Sequence, residues 1–229
     1  MTNTTSQNSA TFSVVITGAS GMVGRGVLLA CLDDPCITSI LMLNRSPVPV
    51  HHDKLKELIT RDFLTVTPEH LAGYDACFFC AGISALGKSE AEYTAITYDL
   101  TLHIARALII ANPDSIFCYV SGAGTDRSEA GRSMWARVKG RTENALLAMP
   151  FRRAFMFRPG YIQPLRGIRS KTRWYQLMYD LFRPIYAVLR HFPAAATNTT
   201  ALGKAMIAVL SDPPDKQVLG NREINALGS

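Results

Sequence analysis

Phe12-Ser-Val-Val-Ile-Thr17 runs directly into Gly18-Ala-Ser-Gly21-Met-Val-Gly24. The β-branched run reads as a buried strand, and the glycines three apart read as a tight turn. Val23, Val27, Leu28, Cys31 and Leu32 then recur at helical spacing with a wide apolar face. Strand, glycine turn and helix in that order place a pyrophosphate on a helix N-terminus. Gly18 allows the turn, Gly21 lets backbone N–H groups approach phosphates, and Gly24 lets the helix pack on the strand. Ser20, Met22 and Val23 complete this phosphate-facing turn.

Asp33-Asp34-Pro35 stops the first helix, and residues 39–43 read as a second buried strand. That strand ends in Asn44-Arg45-Ser46, about twenty residues beyond the turn, where an acid binds an adenosine ribose and an arginine accommodates a 2′-phosphate. With Arg45 and no acid, the chain is expected to take NADP(H) in preference to NAD(H). Residues 53–59 read as a short helix. Residues 63–66 read as a third strand, with Asp62 and Phe63 at the cofactor edge. Residues 75–80 read as a fourth strand ending in Cys80-Ala81-Gly82, where small side chains let the nicotinamide ribose approach the backbone.

A long helix is predicted from about 89 to 111, closed by Asn112-Pro113. A fifth strand over 115–120 leads to Ser121-Gly-Ala-Gly124, a helix spans 131–149, and a sixth strand over 153–157 runs into Arg158-Pro159-Gly160-Tyr161. Strands alternating with helices predict a doubly wound parallel sheet of the Rossmann type. Its predicted order is 3-2-1-4-5-6, with helices on both faces and a small C-terminal helical cap. Residues 171–189 carry Trp174, Leu177, Met178, Leu181, Ile185 and Val188 at helical spacing around Pro184. They read equally as a kinked amphipathic helix over the ligand crevice and as core or dimer packing. Residues 198–210 read as a further helix, and the tail from 216 as a possible edge strand.

The chain has 229 residues, 48% hydrophobic and 18% charged, which fits one α/β domain over 12–229. Its substrate side is expected at about 160–200. Residues 1–11 read as a disordered tail without the features of a signal peptide. No uncharged apolar run reaches the length of a membrane span. Five cysteines make no even disulfide framework, and a cytoplasmic location is expected. Cys77 and Cys80 have redox-motif spacing, but a strand sends their side chains to opposite faces, so both read as ordinary buried thiols. The histidines show no metal-ligand spacing, and no metal is expected.

The net charge of +6 is concentrated between residues 152 and 190, where nine Arg or Lys face only Asp180. Basic positions scattered among apolar ones read as a solvated face, with a surface for an anionic ligand or membrane as the alternative. No nucleic-acid-binding motif is present.

In this order the glycine turn, the basic end of strand two, Ser121 before Trp135-Ala-Arg-Val-Lys139, and Arg158-Pro159-Gly160 resemble the short-chain dehydrogenase/reductase superfamily. The likeness is to its atypical and extended branch of NAD(P)-binding, epimerase/dehydratase-like proteins, and it covers roughly residues 12–161. The resemblance implies a serine that polarises the substrate oxygen, a tyrosine that transfers the proton, and a lysine that holds the nicotinamide ribose. Lys139 matches the lysine, and Trp135 occupies the tyrosine position, where an indole N–H has no useful acidity. Ser121 matches the serine, although a register one residue later puts Gly122 there. Tyr161 offers a phenol from another direction. Cofactor contacts then extend to Lys139, Pro159, Gly160 and Tyr161. Three readings follow: a reductase or epimerase-like enzyme acting on a small molecule with an altered acid/base group, a silent NADP(H) sensor regulating a protein partner, and a scaffold that keeps the cofactor for stability. Monomer and homodimer are both compatible with the sequence.

Overall fold

The computed structural model describes residues 10–168 and 194–229. β1 (Phe12–Thr17) is buried on both sides, with Val14 and Ile16 facing one hydrophobic layer and Val15 the other. That is why the strand reads as a continuous apolar run: a parallel sheet is covered on both faces. α1 (Met22–Asp33) follows, and then β2 (Ile37–Asn44), β3 (Leu55–Ile59) and β4 (Ala76–Phe79).

α2 (Glu90–Thr94) starts on a capping box, Ser89 and Glu92 each accepting a hydrogen bond from the other's backbone N–H. It continues through a π-helical turn, Ala95–Asp99, into α3 (Leu100–Ala111). Together they form a 22-residue apolar helix long enough to cross a bilayer, but Leu102, Ile104, Ala105 and Leu108 are buried in the core. β5 (Ile116–Val120), α4 (Met134–Ala148), β6 (Arg153–Arg158) and β7 (Tyr161–Gln163) come next. After residue 194 come β8 (Ala196–Asn198), α5 (Thr199–Ser211), β9 (Val218–Gly220) and α6 (Asn221–Leu227).

The described strands form a seven-stranded sheet in the order β3-β2-β1-β4-β5-β6-β9, parallel at every pairing. A separate parallel pair, β7 and β8, stands beside it. α1 and α5 cover one face with Val27, Leu28, Leu202 and Met206, and α3 and α4 cover the other with Leu102, Leu108 and Leu146. The order predicted from the sequence holds, and the tail adds β9 as an edge strand.

Two element assignments are corrected. Residues 53–59 are not helical: Leu55–Ile59 pair along β2, from Ile40 opposite Leu55 to Asn44 opposite Ile59. This strand is the sheet edge and is mostly exposed, so it lacks the apolar alternation that marks a strand, and pairing overrides its local preference. Residues 63–66 are not a strand: Phe63–Thr65 make one 3₁₀ turn, with the Asp62 carboxylate accepting from Leu64 N at 2.9 Å. The third strand of the predicted order is therefore 55–59. The helix predicted over 131–149 begins later, at Met134, because the Asp126 carboxylate holds Gly131 N at 2.7 Å in a loop. The amphipathic segment 171–189 lies outside the described residues.

Leu28 is fully buried between α5 and the sheet. Leu28→Ala is expected to lower unfolding free energy by about 2–5 kcal/mol, read as a shift of the urea midpoint at unchanged slope.

Candidate functional site

The glycine turn is closed by Gly21 N donating to Gly18 O at 2.8 Å. Gly18 has φ +74°, and a Cβ on it would lie 2.7 Å from Ala81 N; a Cβ on Gly24 would lie 2.3 Å from Gly18 O. Neither position has room for a side chain, so α1 meets the turn backbone to backbone. The buried Thr17 hydroxyl accepts from Ala81 N at 3.1 Å and ties the turn to the end of β4. Gly21 caps α1 without any side-chain hydrogen bond, leaving N-terminal amides of the helix open to an anion.

A cavity of about 480 Å³ lies over this turn, lined by residues 19–21, Arg25, Leu29, residues 47–49 and residues 166–168. It brings Ser20 and Gly21 together with two cations. Arg25 has no ion pair among the described residues, whereas Arg166 pairs with Asp33 at 2.6 Å. The sequence reading missed Arg25, although it directly follows the last glycine. Arg45 and Ser46 are exposed and lie next to the lining without belonging to it. Asn44 is 2% exposed; its Nδ2 donates to Glu57 Oε1 at 3.4 Å, and its Oδ1 has no partner among the described residues. Uncapped helix amides and two arginines in the lining fit a phosphate group; Asn44 is buried and is not part of that lining. Asp62 and Phe63 are not in this cavity: the carboxylate caps the 3₁₀ turn and the ring is buried.

At the same carboxyl ends of the strands, beyond β4 and β5, a second cavity of about 590 Å³ is lined by residues 83–87, Tyr93, Met134, Trp135 and Lys139. Trp135 and Lys139 thus share a helix face, as their spacing predicts. Gly82 borders it, with open space where a Cβ would be. Tyr93 and Met134 were not singled out from the sequence, because both sit within ordinary apolar helical patterns.

Ser121 is not presented to this cavity. It is 3% exposed, and its hydroxyl donates to Glu143 Oε1 at 2.5 Å, with Phe157 O at 3.2 Å. Glu143 is fully buried and is gripped by Arg158, Nε to Oε1 at 2.9 Å and Nη2 to Oε2 at 2.5 Å. A buried carboxylate requires such partners, and Ser121 is one of them. Tyr161 does not line the cavity either; its hydroxyl donates to Gln163 Oε1 at 2.8 Å. Pro159 O accepts from Ala123 N, and Gly160 N donates to Asn221 Oδ1, so that corner joins β5 to α6. Lys139 Nζ donates to Ser121 O. Burial pulls its pKa down to about 8, against the opposing pull of Glu143. The cysteines are free thiols; burial raises Cys77 and pushes Cys80 up to about 12, in keeping with unreactive side chains.

No protein-family model matches the chain. It is similar to Protein fmp52, mitochondrial, of Emericella nidulans, at 27% identity over 225 residues, covering 93% of this chain and 86% of that protein. Among solved structures it is similar to MoeE5 in complex with UDP-glucose and NAD (TM-score 0.66, 17% identity, 91% of this chain and 75% of that one). It is also similar to a short chain dehydrogenase from Burkholderia cenocepacia in complex with NADP (TM-score 0.62, 15% identity, 92% and 88%). The chain therefore has the Rossmann-type fold of short-chain dehydrogenases and NAD-binding epimerases. The cytoplasmic expectation is overturned: several proteins matching 70% or more of the chain are named mitochondrial. Free thiols indicate a reducing compartment and do not distinguish one such compartment from another.

The Lys139 shift has a consequence for stability. Between about pH 8 and about 10.5 the unfolded chain holds the Nζ proton that the folded chain has released, so this residue's contribution to stability rises with pH across that window. Urea unfolding of wild type and Lys139→Met, compared near pH 7.5 and near pH 10, is expected to move in favour of wild type at the higher pH. A pH-independent difference would contradict the assignment.

Proposed function

We propose that the chain is an NADP(H)-binding member of the short-chain dehydrogenase/reductase superfamily, acting on a small molecule as an oxidoreductase- or epimerase-like protein. The observation that carries this reading is a pair of cavities along the carboxyl ends of the strands, which would form the phosphate end and the lysine end of one crevice. The cavity over the glycine turn holds open helix amides and Arg25; the other holds Lys139. When bound, the nicotinamide ring donates or accepts a hydride at the lysine end.

In this reading the turn from Gly18 to Gly24 binds the pyrophosphate. Cys80, Ala81 and Gly82 leave space for the nicotinamide ribose, whose hydroxyls Lys139 Nζ engages. Both NAD and NADP occur on this fold, so the fold does not select between them. The preference for NADP(H) rests on Arg25 in the cavity wall, which can offset the Glu57 carboxylate that reaches Asn44 and Val48 from β3. Arg45 is close enough in sequence to assist, but Arg25 is the better candidate because it lines the cavity.

A second reading, a cofactor-dependent sensor acting on a protein partner, is favoured by Trp135 and by the engagement of Ser121 with Glu143. Titration with NADPH and NADH followed by a carbonyl-substrate screen separates the two. The sensor reading expects tight NADPH binding with no oxidation of it by any carbonyl.

Arg25→Ala is expected to weaken NADPH binding by about 2 kcal/mol, or ~30-fold, while NADH affinity changes far less. Calorimetric titration of both cofactors checks this. Wild type binding NADH more tightly would sink the NADP(H) assignment, and binding neither would remove the cofactor from the proposal.

A further inference from the structure

We propose that Lys139 Nζ itself carries the proton to and from the oxygen of an apolar carbonyl substrate, held in the cavity it shares with Trp135. This rests on the cofactor reading above. The described lining points to the substrate class: Ile83, Leu86, Tyr93, Met134 and Trp135 are apolar or aromatic, and Lys139 is the one charged residue among the described residues that line it. Such a wall accepts an aryl or alkyl aldehyde or ketone and offers a second carboxylate or phosphate on the substrate no partner beyond Lys139.

The other groups that could move a proton are engaged or unsuited. Ser121 Oγ is held by Glu143, and Tyr161 OH by Gln163. Trp135 donates an N–H but does not release it. Among the described residues Tyr93 is the only phenol in the wall, and burial raises its pKa further above neutrality. The ammonium of Lys139 has three donors; one is taken by Ser121 O from β5, which leaves donors for a ribose hydroxyl and a substrate oxygen.

The titratable and charged groups around it come from each packed element. Glu143 lies four residues along α4, Arg158 reaches from β6 to neutralise it, and Tyr93 and Tyr119 contribute phenols from α2 and β5. Because Arg158 already engages the carboxylate, desolvation prevails and the amine exchanges protons near pH 8.

The step balances. In reduction the carbonyl carbon gains a hydride from the reduced nicotinamide cofactor, and the C=O π electrons move onto oxygen. The oxygen takes one proton from Nζ to give the alcohol, and the neutral amine regains a proton from water. Oxidation runs the same transfers in reverse.

Three measurements on the full chain test this. In protein labelled at lysine Cε, the resonance lost in Lys139→Arg is expected to titrate near pH 8 without cofactor; titration near the ordinary lysine value overturns the inference. Wild type is expected to oxidise NADPH with benzaldehyde-type or alkyl ketone probes, at a rate that falls as pH rises through the same value. Lys139→Arg keeps the cation but cannot release a proton, so it is expected to retain NADPH binding by fluorescence and lose turnover by about 100-fold or more. NADPH binding without oxidation by any carbonyl overturns the inference and leaves the cofactor reading standing. An alkaline limb that moves with Tyr93→Phe instead of Lys139→Arg assigns the proton to the phenol. Binding of neither NADPH nor NADH removes the reading on which the inference rests.

Discussion

A fully buried carboxylate organises the lysine end of the crevice. Glu143 cannot stay ionised away from water without partners, and it draws them from two strand ends. Arg158 comes from the end of β6, Ser121 from just beyond β5, and Glu143 itself sits on α4. The two strand ends and the helix are thereby fixed relative to one another. Lys139, one turn earlier on α4, gives its hydrogen bond to the Ser121 carbonyl and cannot swing away from the cavity wall. The same contact decides the chemistry available there, because the Ser121 hydroxyl is committed to the carboxylate and is not available to a substrate.

The opposite end of the crevice is organised by the absence of side chains. Gly18 and Gly24 allow α1 to start within contact distance of the turn, and Gly21 leaves its first amides uncapped. Positive potential from the helix terminus and from Arg25 converges on one cavity. The two ends differ in kind: one presents uncapped helix amides and arginines, the other an apolar wall around the Lys139 amine. Such a division suits a two-part ligand lying across the strand ends of a doubly wound sheet.

The legible parts of this architecture were those with local signals. β1, the glycine turn and α1 could be read because a fully buried strand and an amphipathic helix each have a period, and the turn needs glycine on steric grounds alone. Leu55–Ile59 could not be read as a strand, since an exposed edge strand has no buried face to impose alternation. Residues 63–66 looked like a strand because Phe63 is buried, yet one aromatic anchor and an Asp62 cap are enough for a 3₁₀ turn. Arg25 was passed over because its position in α1 is that of an ordinary surface residue until the loop 166–168 closes over it.

By itself, the amino-acid sequence determined the glycine turn and the pairing of Trp135 with Lys139 on one helix face, because each follows from spacing within a single element or from a steric rule. The strand order followed from the alternation of strands and helices, although its third strand lies at 55–59. Only the tertiary structure decided which of the named groups meet. Ser121 and Tyr161 are turned to Glu143 and Gln163, Arg25 enters the phosphate-end cavity, and burial brings the Lys139 amine close to neutrality. For Ser121, Arg25 and Lys139 those outcomes depend on desolvation and on partners distant along the chain, such as Glu143, 22 residues from Ser121, which no local pattern records.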